Sequence, residues 1–120
     1  MTPPVPDGSR LWLVRHGETE WSASHRHTGA TDLPLTEAGE AQARALRALL
    51  ADVAPVLVIS SPRARALRTA QLAQVAVDRV DPDAAEWDYG DYEGLTSAQI
   101  HQRDPQWTIW TGAVPGGESA

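Results

Sequence analysis

Arg15, His16 and Gly17 close a run of apolar residues, Leu11-Trp12-Leu13-Val14, and form the first group in this chain able to do covalent chemistry. A neutral imidazole can attack phosphorus in line while a neighbouring guanidinium neutralises the oxygens that gather charge. Gly17 would let the backbone approach a ligand closely. Alone, the tripeptide reads more readily as a solvated strand-end turn, so its meaning rests on what accompanies it. The second group is Ser61-Pro62-Arg63-Ala64-Arg65-Ala66-Leu67-Arg68-Thr69-Ala70, a helix start whose unpaired N–H groups and positive dipole end favour an anion. Arg65 and Thr69, four apart, share one helical face; Arg63 and Arg68 point elsewhere, as surface charges. The plainer alternative is an arginine-rich solvated helix. The third group sets Glu86 among Trp87, Tyr89, Gly90, Tyr92 and Gly94. Such surroundings can desolvate a carboxyl and raise its pKa, keeping it protonated to donate to a leaving alkoxide and later to accept a proton from water. Without the other two groups it is an acidic, aromatic loop. Glu86, Asp88, Asp91 and Glu93 lack the spacing and closing glutamate of a calcium loop, so no metal and no other cofactor is expected.

Positioning these groups falls to a short series of elements. Residues 11–14 have the continuous apolar character of a strand buried on both faces of a parallel sheet. Thr36 can cap a helix with Glu37 and Glu40 in its first turn, and Leu46, Leu49, Leu50 and Val53 then recur at helical spacing until Pro55. Residues 56–59 (Val-Leu-Val-Ile) are a second buried-type strand, after which Ser61 can cap, and Pro62 open, a helix running to about Ala76. Residues 75–80 form a weaker, edge-type strand broken by Asp81-Pro82-Asp83, and residues 96–103 a short helix closed by Asp104-Pro105. Strand, helix, strand, helix, strand is the order of an α/β domain built from βαβ crossovers. Ligands bind such sheets beyond the carboxyl ends of strands, which brings Arg15-His16 and residues 60–65 to one crevice.

Composition narrows the chemistry. The chain has 120 residues, 42% of them hydrophobic, which suits a single globular domain. Residues 1–9, rich in proline, are expected to be a disordered leader, leaving 10–120 as the domain. Zero cysteines remove thiolate nucleophiles, disulfides and Cys-ligated zinc. The net charge of −6, with nine of sixteen acids between Asp78 and Glu118, argues against a nucleic-acid surface. No apolar run approaches the roughly 20 residues of a membrane span and the N-terminus lacks a signal-peptide layout, so a cytoplasmic protein without membrane contact is expected. Every basic residue is arginine, the better planar clamp for phosphate.

Together the three groups resemble the histidine phosphatase superfamily, also called the phosphoglycerate mutase-like family, over about residues 11–119. The family's apolar strand into Arg-His-Gly-Glu-Thr-Glu-Trp stands here as Arg15 to Trp21, and its Ser-Pro-x-x-Arg-Ala-x-x-Thr-Ala as Ser61 to Ala70. Its Glu-x-x-x-Gly-x-x-Glu-Gly is met by Glu86, Gly90, Glu93 and Gly94, and Pro115-Gly116-Gly117-Glu118-Ser119 is similar to its later glycine-rich segment. The resemblance implies a three-layer α/β/α fold with a mainly parallel central sheet. It also implies a phosphohistidine intermediate at His16, phosphate clamped by Arg15 and Arg65, and Glu86 as proton donor. Thr28 and Gly29 resemble the family's phosphate-site loop. Ser22 stands where an asparagine often follows the tryptophan, which puts one phosphate contact in doubt.

The choice between hydrolysis and transfer turns on cations. A mutase needs extra positive groups for a substrate carboxylate, whereas between Gly94 and Gly116 this chain offers only Arg103. Trp107, Ile109 and Trp110 occupy the stretch instead, either as an apolar rim able to accept varied leaving groups or simply as packing, with His101 and Arg103 as rim contacts. Acid-phosphatase-like hydrolysis of small phosphorylated metabolites is therefore favoured over phosphoglycerate mutase-type transfer, with an optimum on the acidic side of neutrality. The family's second catalytic histidine, in a later His-Gly, has no match: His25, His27 and His101 neither follow an apolar strand nor precede glycine. The sequence thus reads as the N-terminal portion of the domain without its C-terminal strand or strands, with an exposed apolar edge that would drive association, for instance as a homodimer. The alternative of a different class is a phosphate-binding pseudoenzyme without turnover.

Overall fold

Threonine hydroxyls set where three of the four described α-helices begin, in the computed structural model, which describes residues 8–110, 112 and 114–119. Most of the expected leader, residues 1–7, lies outside the described residues; Gly8 and Ser9 are exposed. Thr19 caps α1 (Glu20–Ala23) through a capping box: its Oγ1 accepts the Ser22 N–H at 3.1 Å, while Ser22 Oγ accepts the Thr19 N–H at 2.8 Å. Thr36 caps α2 (Glu37–Leu50), taking the Gly39 N–H at 3.0 Å, with Glu37 and Glu40 at the positive end of the helix dipole as expected.

The buried face of α2 is not the leucine stripe that its periodicity suggested. Gly39 and Ala43 are its buried residues, while Leu49 is 75% exposed, and the helix stops at Leu50 rather than running on to Pro55. Small residues win because something must pass close: a Cβ on Gly17 would run into the Gly39 carbonyl, and one on Gly39 into the Glu18 carbonyl. The glycine after His16 is thus required by the crossing of residues 17–18 over α2. The contact is sealed by the Thr36 N–H donating to the Glu18 carbonyl (2.9 Å) and the Glu18 N–H donating to Gln42 Oε1 (2.9 Å).

Among the described residues the sheet consists of β1 (Ile59–Ser60) and β2 (Arg79–Val80), parallel, with Ile59 opposite Arg79 and Ser60 opposite Val80. Between them lies α3 (Ala64–Leu72), which packs on β1 and α2. Here three expectations are corrected. Residues 11–14 form no strand: Leu11 and Leu13 are 85% and 86% exposed, and no backbone hydrogen bond joins the run to another described segment. An extended segment is a strand only when a neighbour takes its N–H and C=O groups, and none among the described residues does. Residues 56–58 likewise stay outside β1, with Val56 fully exposed. The helix after β1 starts at Ala64, with Arg63 as N-cap, instead of at Pro62, and ends near Leu72 instead of Ala76. Its first amide is capped from afar, by Asp32 Oδ1 at 2.7 Å, while Ser61 Oγ takes the Arg63 N–H at 3.2 Å.

Two 3-10 turns, Pro82–Ala84 and Gly90–Tyr92, lead into α4 (Ser97–Arg103), whose capping box of Thr96 and Gln99 confirms the expected start. Tyr92, Ile100, Trp107 and Val114 make a compact apolar cluster, flanked by Tyr89, Leu95 and Ile109. The best-packed core therefore lies around α4 rather than under the sheet. Among the described residues no helix is long and apolar enough to cross a membrane.

Candidate active site

His16 sits where the exposed run 11–15 meets the anchored segment 17–19. Anchoring comes from α3: the Gly17 N–H donates to Thr69 Oγ1 at 3.0 Å, and that hydroxyl donates to the Arg65 carbonyl at 2.7 Å. Arg65 and Thr69 share the buried face of α3, as their spacing predicted. The His16 ring is half-buried with Nδ1 2.7 Å from the Gly17 carbonyl. A carbonyl oxygen can only accept, so Nδ1 carries the proton and the Nε2 lone pair is free to attack. Burial lowers the His16 pKa from its ordinary 6.5; the bond to Gly17 opposes this, the charges of Arg65 and Arg15 reinforce it, and Glu86 opposes it. His16, Arg65, Arg15 and Glu86 are thus electrostatic neighbours.

Arg65 is only 2% exposed. Its guanidinium donates through Nη1 to the Thr31 carbonyl at 2.7 Å and through Nη2 to the Gly29 carbonyl at 2.8 Å, which fixes the plane of the fork. Burial and the nearby Arg63 charge lower its pKa, against the acids Asp32, Glu93 and Glu86. Arg63, expected as a surface charge, is half-buried with Nε out of solvent and without a hydrogen-bond partner among the described residues. Arg68 does face solvent, 3.6 Å from Glu40. Arg15 is exposed.

The remaining expected residues divide. Gly29 is buried and its amide is already used, donating to Glu93 Oε1 at 3.0 Å; a Cβ there would run into the Trp87 carbonyl. Its contribution in this arrangement is the carbonyl that holds Arg65. Ser22 commits its hydroxyl to the capping box of α1, and Thr28 donates to the Arg26 carbonyl at 3.1 Å. Glu86 is exposed, with Oε1 accepting the Trp87 N–H at 2.9 Å, so the enclosing aromatic shell expected around it is not formed. It lines an open cavity of about 380 Å³ with Trp87, Ile109 and Trp110. Of the aromatic stretch, Trp107 is core while Trp110 is 83% exposed at the rim. His101 points Nε2 at the Trp107 carbonyl (2.9 Å) and Arg103 faces solvent. No described group of three or more His, Cys, Asp or Glu is placed to hold a metal.

Three residues that build the site draw no role from the sequence: Thr69 reads only as sharing a helical face with Arg65, Glu93 only as part of a motif, and Thr31 not at all. Thr69 links the histidine loop to α3; Glu93 and Thr31 complete the support of Arg65. Glu93 was visible as an acid between Tyr92 and Gly94, yet nothing local reveals which amides it would meet. The glycine-rich segment 115–119 packs against residues 88–91, with the Asp91 N–H donating to the Pro115 carbonyl at 2.7 Å and the Glu118 N–H to the Asp88 carbonyl at 3.0 Å.

Comparison with known proteins shows the family and the fold. An acid phosphatase of Mycobacterium tuberculosis is 50% identical over 112 residues, covering 92% of this chain and 55% of the relative. A 2,3-bisphosphoglycerate-dependent phosphoglycerate mutase of Corynebacterium diphtheriae is 40% identical over 111 residues, covering 84% and 45%. A solved structure of an open reading frame product from Mycobacterium tuberculosis superposes with a TM-score of 0.82 at 49% identity, over 87% of this chain and 55% of that one. The chain spans about half the length of the curated relatives it matches. The fold is accordingly α/β, its small parallel sheet and flanking helices being part of that architecture. The family model of the histidine phosphatase superfamily, branch 1, matches residues 11–120, and the chain belongs to that superfamily.

Proposed function

We propose that this chain carries the phosphoryl-accepting half of a phosphatase that hydrolyses small phosphate monoesters through a phosphohistidine at His16. The observation that carries the reading is the 2.7 Å contact of His16 Nδ1 with the Gly17 carbonyl, which assigns the proton to Nδ1 and leaves the Nε2 lone pair for attack near the charges of Arg65 and Arg15. In the first step Nε2 attacks phosphorus and the bond from phosphorus to the ester oxygen breaks. Arg65 and Arg15 neutralise the equatorial oxygens, and Glu86 passes its proton to the departing alkoxide. In the second step water attacks phosphorus, gives its proton to the Glu86 carboxylate, and the P–N bond breaks to release inorganic phosphate. The resemblance to an acid phosphatase at 50% identity and the shortage of cations between Gly94 and Gly116 support hydrolysis over mutase transfer.

A second reading, phosphate binding without turnover, is favoured by one observation. Two of the other three histidines are engaged elsewhere, His27 against the rings of Tyr89 and Trp107 and His101 on the Trp107 carbonyl, while His25 is exposed, and none of the three has a described contact with His16. Incubation with p-nitrophenyl phosphate, beside His16→Ala, separates the two. Turnover that vanishes in the variant, together with an acid-labile, base-stable phosphoryl adduct, supports hydrolysis. Bound inorganic phosphate without turnover supports the second reading, return of the phosphoryl group to a phosphoglycerate would indicate a mutase, and unchanged turnover in His16→Ala would overturn the assignment of the nucleophile.

A further inference from the structure

Arg65 cannot hold its own orientation. Its guanidinium hydrogen bonds end on the carbonyls of Gly29 and Thr31, in a segment that belongs to no helix or strand, so the clamp is only as rigid as that loop. What fixes the loop is one carboxylate on its other side. Glu93 Oε1 accepts the Gly29 N–H (3.0 Å), the Thr31 N–H (2.9 Å) and the Thr31 hydroxyl (2.8 Å). The second oxygen, Oε2, accepts the Tyr89 N–H at 3.1 Å, and Tyr89 belongs to the same short segment as Glu86 and Trp87. Glu93 itself is held by its neighbours: the Gly94 N–H donates to the His27 carbonyl and the His27 N–H to the Leu95 carbonyl, each at 2.8 Å.

We propose that Glu93 is a positioning residue for phosphoryl transfer, whose carboxylate ties the loop gripping Arg65 to the segment carrying Glu86. This rests on the phosphatase reading above. The chemistry of the group explains why a carboxylate is needed. Four donors converge on it and it offers acceptors only, on two oxygens. An amide of the same shape must turn an NH₂ toward either the loop donors or the Tyr89 amide, so Glu93→Gln keeps one connection and loses the other. Proximity of this kind is sensitive, since a misplacement of about 1 Å costs on the order of a hundredfold in rate.

The test uses the chain as it stands, with Glu93→Gln and Thr31→Val, the latter deleting only the hydroxyl donor, and melting curves to verify folding. Glu93→Gln is expected to raise KM, and the inhibition constant of inorganic phosphate, about tenfold. It should also lower kcat more for phenyl phosphate than for p-nitrophenyl phosphate, whose leaving group needs little proton donation. Thr31→Val should show the phosphate effect at about two- to threefold and no leaving-group effect. A residue that merely stabilises the fold would reduce the active fraction and leave the phosphate constant and the ratio of the two substrates unchanged, and that result would overturn the proposal. The Arg65 side-chain Nε–H resonance gives an answer independent of turnover. In the parent chain it should be slow to exchange and in Glu93→Gln fast. If the parent hydrolyses nothing, the phosphatase reading fails while this resonance still decides the role of Glu93: unchanged exchange in a folded Glu93→Gln refutes it.

Discussion

At the scale of single residues, the site depends on side chains whose partners lie far away in sequence. Thr69 is the clearest case, because the N–H after the nucleophile, fifty-two positions upstream, ends on its hydroxyl. Thr69→Val keeps the shape and leaves that buried amide unpaired, at a cost of about 1–3 kcal/mol. A urea titration should show the loss, and kcat/KM should fall with it, while Thr69→Ser retains both; a Val variant as stable and active as the parent would contradict the bridge. The His16 pKa adds a pH prediction. Since burial lowers it below 6.5, the neutral nucleophile persists into mildly acidic solution, and an NMR titration of the ring should give a midpoint under 6.5. In the unfolded chain the imidazole protonates first, so the folded state binds fewer protons just below pH 6.5. Stability from this group is therefore full above 6.5 and declines as pH falls through the lower folded-state value. A midpoint at or above 6.5 would refute the burial argument. Arg15, His16, Arg65 and Glu86 could be named from the sequence because their residue types stand in the order and spacing of a family pattern, although the run before His16 forms no strand and Glu86 lies in a loop. The ties from Thr69, Glu93 and Asp32 could not, since a hydrogen bond across thirty or more positions leaves no local pattern.

At the scale of elements, polar signals were read more faithfully than apolar ones. Thr36 and Thr96 begin helices where they stand, because an N-cap acts on amides two or three residues away. The apolar periodicity of α2 misled, because spacing tells which residues share a face and not whether a partner covers it. The contrast is testable with one substitution on each side. Ile100 is fully buried in the cluster around α4, so Ile100→Ala should cost about 2–5 kcal/mol. Leu49, on the face of α2 that the sequence marked as core, is 75% exposed, and Leu49→Ala should stay within about 0.5 kcal/mol. Equal losses measured by denaturant titration would mean that α2 buries its leucines in solution and that the exposed face is covered there.

For the molecule as a whole, the distribution of apolar surface has a consequence for solution behaviour. Residues 11–14 and 56–59 were expected to be inside a sheet, yet Leu11, Leu13, Val56 and Leu57 stand largely in water, and the backbone of 11–14 has no partner among the described residues. Covering such surface is worth about 25 cal/mol per Å², so a few hundred Å² outweigh the cost of association once concentration is high. Unpaired extended backbone adds a template for pairing with another chain. We therefore expect the 120-residue chain to enhance the fluorescence of an apolar dye and to sediment as larger species as its concentration rises toward ~100 μM. Leu13→Glu combined with Val56→Lys should suppress both effects, because charges on an exposed strand edge disfavour further pairing. Neither substitution touches Arg65, Glu93 or Thr69, so binding of inorganic phosphate by the doubly substituted chain should match the parent's. A monodisperse, dye-silent parent chain would show instead that these residues find cover within a single copy. His16 would then be anchored from both sides and not, as here, from Gly17 onward alone.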